Sequence, residues 1–207
     1  MKKSESRSKT SNERQGLLVV LSAPSGCGKT TLVSRLLQRN RQWVRSVSVT
    51  TRSPRLGEQT GKDYEFITLK EFDLLRKREE FLEWAEIFGQ YYGTRRSPVE
   101  QALKKGQKVV LAIDIQGARG VRQALKGKAP LFSIFVLPPS IQALRDRLTG
   151  RKTDSPEEIE KRIDRAQEEI KAAREYDSTV VNLNLEETVR DIEARIDAFE
   201  KTLKGGT

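Results

Sequence analysis

The chain has 207 residues, a net charge of +10, 33% charged and 36% hydrophobic residues, and a mean hydropathy of −0.63. It has no histidine and a single cysteine, Cys27, which excludes His-dependent nucleophile triads, His-ligated zinc and an internal disulfide framework. No apolar run approaches the roughly 20 residues that span a bilayer, so no membrane partner is expected, and the polar segment 1–15 reads as a disordered tail and not as a secretory signal. The lone cysteine fits a reducing, cytoplasmic setting. The positive charge would attract polyanions. Basic residues nevertheless alternate with acidic ones, and aromatics amount to 6%, too few for a stacking platform, so nucleic acid is not expected as the main partner.

Residues 17–21 are a continuous Leu/Val run, the pattern of a strand covered on both faces. The run breaks into Ser22, Ala23, Pro24, Ser25, Gly26, Cys27, Gly28, Lys29, Thr30 and Thr31, and Leu32, Leu36 and Leu37 then take up a helical spacing. Strand, glycine-containing loop and helix in this order define a phosphate-binding loop, although Ala23 stands where the strict pattern has its first glycine. Gly26 and Gly28 let backbone N–H groups face phosphate oxygens, Lys29 supplies a point charge, and the Thr30 hydroxyl can ligate Mg²⁺. The loop amides and Lys29 are also placed to lower the pKa of Cys27, but a filler role at a variable loop position is the favoured reading, with modification or oxidation second to it. A nucleoside triphosphate is the expected ligand.

Further along, residues 44–49 read as a strand, followed by a polar stretch with Pro54, Gly57 and Gly61 as turn signals. Residues 64–67 read as a short strand, and Thr68 with Glu71 has capping-box form before a helix to about residue 79. Residues 81–88 and 90–94 form an expected hairpin around Gly89, and Ser97-Pro98 marks a helix start with Pro98 at the first helical position. Residues 108–114 make a second apolar strand ending in Asp114, with a helix from Gln116; residues 131–137 make a third, stopped by Pro138 and Pro139. Ser140 opens a helix ending near Gly150, and Ser155 with Glu158 forms a second capping box. Ile159, Ile163, Ala166, Ile170 and Ala173 form one apolar stripe, residues 179–181 a last strand, and Leu185, Val189, Ile192, Ile196, Phe199 and Leu203 a second stripe. Apolar strands alternating with helices predict an α/β fold with a parallel sheet covered on both faces. Lys29 and Asp114 both lie at strand carboxyl ends, where they can converge on one site.

The phosphate loop, Ser48 to Arg55, Gly57-Glu58, Gly61 to Tyr64, Phe81 to Ala85, Tyr91 to Thr94 and Ile113 to Gly117 resemble guanylate kinases in order and spacing. The likeness runs from about residue 17 to the C-terminal helix. It implies a P-loop core over 16–49, 106–139 and 171–207, an inserted mixed β/α GMP-binding subdomain over 50–105, and a helical lid over 140–170. The implied reaction is transfer of the ATP γ-phosphoryl group to GMP with Mg²⁺, Thr30 being the metal-binding hydroxyl.

By that resemblance, residues Ala23 to Thr31 and Asn182 belong to the ATP site. Arg52, Arg55, Tyr64 and Tyr92 would grip the GMP phosphate, since guanidinium forks suit phosphate oxygens. Read alone, Arg52 and Arg55 are equally two solvated arginines. Glu83 accepts hydrogen bonds only, matching the guanine N1–H and N2 donors; read alone it is the exposed member of a strand beside Leu82 and Trp84. Ser48 and Thr94 would approach the O6 side, with Asp114 near the base. Arg147, Arg151 and Arg162 match lid arginines that act with Lys29 and Arg52 on the transferring group. Three positions depart from the family pattern: Ala112 replaces an acid, Lys152 a glycine, and Leu183 an aspartate.

Overall fold

The computed structural model describes residues 16–150 and 155–205. Its centre is a five-stranded, all-parallel sheet in the order β2-β7-β1-β8-β9, with β1 (Leu17–Ser22) in the middle, flanked by β7 (Lys108–Ala112) and β8 (Leu131–Leu137). The edges are β2 (Val44–Arg45) and β9 (Ser178–Val181). The continuous apolar run of β1 has a simple cause. Leu17, Val19 and Leu21 point to one buried layer with residues of α1 (Lys29–Arg39), α5 (Ile141–Thr149), α6 (Pro156–Lys171) and α7 (Leu185–Gly205). Leu18 and Val20 point to the other, with Val99, Ala102 and Leu103 of α3 (Arg96–Lys104) and Ala118 and Val121 of α4 (Ile115–Ala124). A parallel sheet needs both faces covered, so neither half of the alternation is polar.

A second, mixed sheet of four strands lies beside it in the order β4-β3-β6-β5. These strands are β3 (Ser48–Thr50), β4 (Glu65–Phe66), β5 (Phe81–Ile87) and β6 (Gln90–Arg95). One face packs on α2 (Leu69–Lys77), where Phe72 stacks on Phe81 at 4.5 Å beneath Val49. Among the described residues, no helix is long and apolar enough to cross a membrane.

Several expectations are corrected. The single strand expected over 44–49 is two strands in two sheets: β2 pairs with β7, and β3 pairs with β4 and β6. The β-pattern is continuous but its hydrogen-bonding partners change between Arg45 and Ser48, which periodicity does not reveal. Helix α3 starts at Arg96, so Pro98 is its third residue, still in the turn whose N–H groups lack intrahelical partners. Strand β7 ends at Ala112, and Asp114 instead caps α4 by accepting from Gly117 N at 2.9 Å. Both capping boxes are present, at Thr68 and Ser155. The C-terminal stripe holds through Ile196, and Phe199 stacks on Phe132 at 4.6 Å, but Leu203 is exposed.

Candidate active site

The phosphate loop leaves β1 at the carboxyl edge of the sheet and enters α1 through Gly28, whose φ of +81° is a left-handed value that glycine adopts without strain. Gly26 has φ +93°, and a Cβ there would lie 2.9 Å from side-chain atoms of both Leu144 and Leu148. Because the N-cap is glycine, no side chain occupies the first amides of α1, and they remain available to an anion. Lys29 reaches across the strand ends and donates from Nζ to the carbonyl of Ile113 at 3.0 Å. Burial pushes its pKa down, while Asp114 and Glu169 nearby push the other way.

Cys27 is the filler that its favoured reading makes it, and only the expected lowering of its pKa is corrected. It is fully buried beneath the loop, and desolvation pushes its thiol up to about 12, outweighing the opposite pull of Arg147 and Lys29. Its position makes it packing, with a poor prospect of thiolate chemistry. Asn182 stands directly behind the phosphate loop. It is buried, its Nδ2 donates to Cys27 O at 2.7 Å, and its carbonyl accepts from Arg147 Nη2 at 3.0 Å. Asn182 and Arg147 therefore brace the phosphate loop from behind. The neighbouring Val181 and Leu183 are exposed apolar residues.

A cleft opens between the loop and the second sheet. Its walls include Ala23, Pro24, Ser25, Gly26, Gly28, Lys29, Thr30 and Thr31 on one side and Ser48, Arg55, Tyr64, Glu83 and Tyr92 on the other, with Asp114 and Arg162 between them. Strand register explains the second wall. Ser48 pairs with Thr94, and Thr94 pairs with Glu83, so the three lie in one row across β3, β6 and β5. A register shift between Phe81 and Glu83 turns both Leu82 and Glu83 inward and leaves Trp84 outward.

Glu83 is 8% exposed, and its Oε1 accepts from Thr94 Oγ1 at 2.5 Å. Gly117 of α4 is what makes room for its other oxygen, since a Cβ there would lie 2.7 Å from Oε2. Burial raises the Glu83 pKa to about 7; the Thr94 hydrogen bond opposes this and the Asp114 charge adds to it. The reading of Glu83 as an exposed strand residue is excluded.

Of the other residues from the sequence reading, Arg52 and Thr94 stand apart from the cleft wall. Arg52 is tied to Glu58, with Nη2 at 2.9 Å from both carboxylate oxygens, and its guanidinium lies over the Tyr64 ring at 5.4 Å. Tyr64 and Tyr92 meet edge to face at 6.0 Å. Thr94 is buried behind Glu83, and Arg151 and Lys152 lie outside the described residues. The cleft also contains residues the sequence reading missed, chiefly Phe88, Arg165 and Glu169. The spacing 162, 165, 169 on one helix face was the available signal.

A phosphate loop at a parallel sheet edge, facing a second wall with a buried acceptor and arginines, defines a P-loop nucleotide kinase. Comparison with known proteins narrows this class. The family model described as guanylate kinase matches residues 15–199. A guanylate kinase of Synechocystis sp. is 47% identical over 175 residues, covering 84% of this chain and 90% of that protein. One from Wolbachia sp. subsp. Brugia malayi is 46% identical over 185 residues, covering 89% and 94%. The crystal structure of guanylate kinase from Anaplasma phagocytophilum superposes with a TM-score of 0.75 at 36% identity, covering 89% and 86%. The chain belongs to the guanylate kinase family, the ATP:GMP phosphotransferases that move the γ-phosphoryl group of ATP onto GMP.

Proposed function

We propose that GMP lies against the second sheet, with its guanine on Glu83 and its phosphate towards Arg55, Tyr64 and Tyr92, while ATP places its phosphates on residues 23–31. The observation that carries this reading is the in-register row of Ser48, Thr94 and Glu83, a buried acceptor aimed into a cleft that also holds a phosphate loop. An ionised Glu83 can accept from guanine N1–H and N2–H but leaves adenine's acceptor N1 unmatched. Arg52 joins the phosphate grip when it shares or exchanges its Glu58 partner.

The attacking GMP phosphate is already an oxyanion, so no general base is required. A GMP phosphate oxygen bonds to the γ-phosphorus as the bond to the bridging oxygen of ADP breaks. Lys29 and Arg162 offset the charge spread over the transferring group, and Arg151 is assigned the same part from sequence alone. Arg147 contributes by holding the Asn182 brace.

Magnesium fits the donor set. Among the described residues, no group of three or more His, Cys, Asp or Glu could cage a metal ion. Thr30 Oγ1 would be the protein's ligand, with nucleotide phosphates and water supplying the rest. When bound, Mg²⁺ would offset negative charge on the nucleotide phosphates. ATP as donor, a cytoplasmic location, and the division into core, GMP-binding and lid segments complete the proposal.

The test is the KM for GMP between about pH 5.5 and about pH 8.5, where both Glu83 and the GMP phosphate titrate. A protonated Glu83 offers guanine a donor where an acceptor is needed. KM is expected to rise as pH falls through about 7, the Glu83 value. In Glu83→Gln only the phosphate titration near about pH 6 should remain. Identical profiles for the two proteins would remove Glu83 from the base site.

A further inference from the structure

Phe88 breaks the rules of the segment it occupies. It stands at the tip of the β5–β6 hairpin with φ +51°, followed by Gly89 at +70°. Two successive positive φ values suit Asn, Asp or Gly, and an aromatic residue there is strained. Phe88 is also 63% exposed, so burial does little to offset the strain.

Its ring has a partner across the cleft mouth. The Arg165 guanidinium of α6 lies over it, with Cζ 4.4 Å from the ring centroid. Arg165 Nε donates to Glu169 Oε1 at 2.8 Å, and its Nη2 lies 4.0 Å from Asp114 Oδ2. Glu169 fixes the guanidinium plane from its own helix, while Asp114 faces the other edge from the end of the central sheet. One side chain thus joins three parts: the hairpin carrying Glu83 and Tyr92, the sheet edge beside Lys29, and the helix that presents Arg162 one turn earlier.

We propose that Arg165 is a positioning residue for GMP, its stack on Phe88 clasping the hairpin to α6 so that the GMP wall and the helix that bears Arg162 keep one arrangement. This rests on the second sheet being the GMP wall. A planar guanidinium can pair with Glu169 and stack at once; a lysine ammonium keeps the charge but not the flat contact. Because the clasp is made between protein groups alone, its value appears as apparent affinity, since the competent arrangement need not be selected by GMP.

The test is steady-state kinetics and thermal melting of the full chain with Phe88→Asn, Phe88→Tyr, Arg165→Ala, Arg165→Lys and the Phe88→Asn/Arg165→Ala pair. Phe88→Asn introduces a residue the turn prefers, so the melting temperature should hold or rise. Its KM for GMP should nonetheless rise roughly three- to tenfold, the range of one cation–π contact, with kcat within about twofold. Phe88→Tyr should match wild type, Arg165→Lys should resemble Arg165→Ala, and the double variant should be no worse than the poorer single one. An unchanged KM in Phe88→Asn, rescue by Arg165→Lys, a loss confined to kcat, or losses that multiply would each overturn the clasp. A wild-type chain inert towards GMP would instead remove the underlying site reading, and the clasp with it.

Discussion

Lys29→Met is expected to lower kcat/KM by about 10³-fold, the scale on which removal of a single phosphate-directed charge acts in phosphoryl transfer. The geometry explains why other cations would not compensate. Lys29 leaves the first turn of α1, passes over the strand ends and holds Ile113 O at 3.0 Å, which keeps its ammonium at the phosphate loop. Arg162 reaches the cleft from α6, a separate helix, and Arg147 is engaged with Asn182 O. Methionine retains most of the lysine stem, and loss of a desolvated ammonium relieves a burial penalty, so thermal stability should be held. Coupled ADP detection with calorimetric GMP binding separates the effects: turnover should collapse while GMP binding persists. Near-wild-type turnover would contradict the role given to the loop lysine.

Glu83→Gln should produce two effects of opposite sign. The amide places a donor opposite guanine's own donors, so the GMP KM should rise by about 10²-fold and the preference for GMP over AMP should shrink. Stability should move the other way. The folded-state pKa of Glu83 is about 7 against an ordinary 4.5. A raised carboxyl pKa contributes stability that is fully present below the unfolded value and is lost as pH rises through the folded one. Above about pH 7 the wild type therefore bears the whole penalty of an ionised, buried carboxylate, a few kcal/mol at most. The glutamine retains an acceptor for Thr94 without that charge. Ligand-free Glu83→Gln should melt above wild type at pH 8, with the gain fading as pH falls towards 4.5. A lower melting temperature at every pH would mean that Glu83 serves structure and not guanine.

Much of this was legible in the sequence because local physics dictates it. The two-faced burial of β1, the glycine positions of the phosphate loop and the Thr68 and Ser155 capping boxes follow from short-range rules, and each appears in the fold. What escaped was set by tertiary partners. Nothing in residues 44–49 says that the chain changes sheets between Arg45 and Ser48. The inward turn of Glu83 depends on a register shift against Arg95 and Thr94 and on space beside Gly117, far along the chain. The filler role of Cys27 was legible, but the direction of its pKa shift was not, because the loop's charges are visible in sequence and its burial is not. Arg165 reads as an ordinary helix-surface arginine until Phe88 is found across the cleft.

The most direct test of the account is ADP formation from ATP and Mg²⁺ with GMP, AMP, CMP and UMP supplied as separate acceptors. Turnover with GMP, and little or none with the other three, is the result that a buried Glu83 acceptor beside a working phosphate loop predicts. Comparable turnover with AMP, or none with any acceptor while ATP still binds, would contradict it.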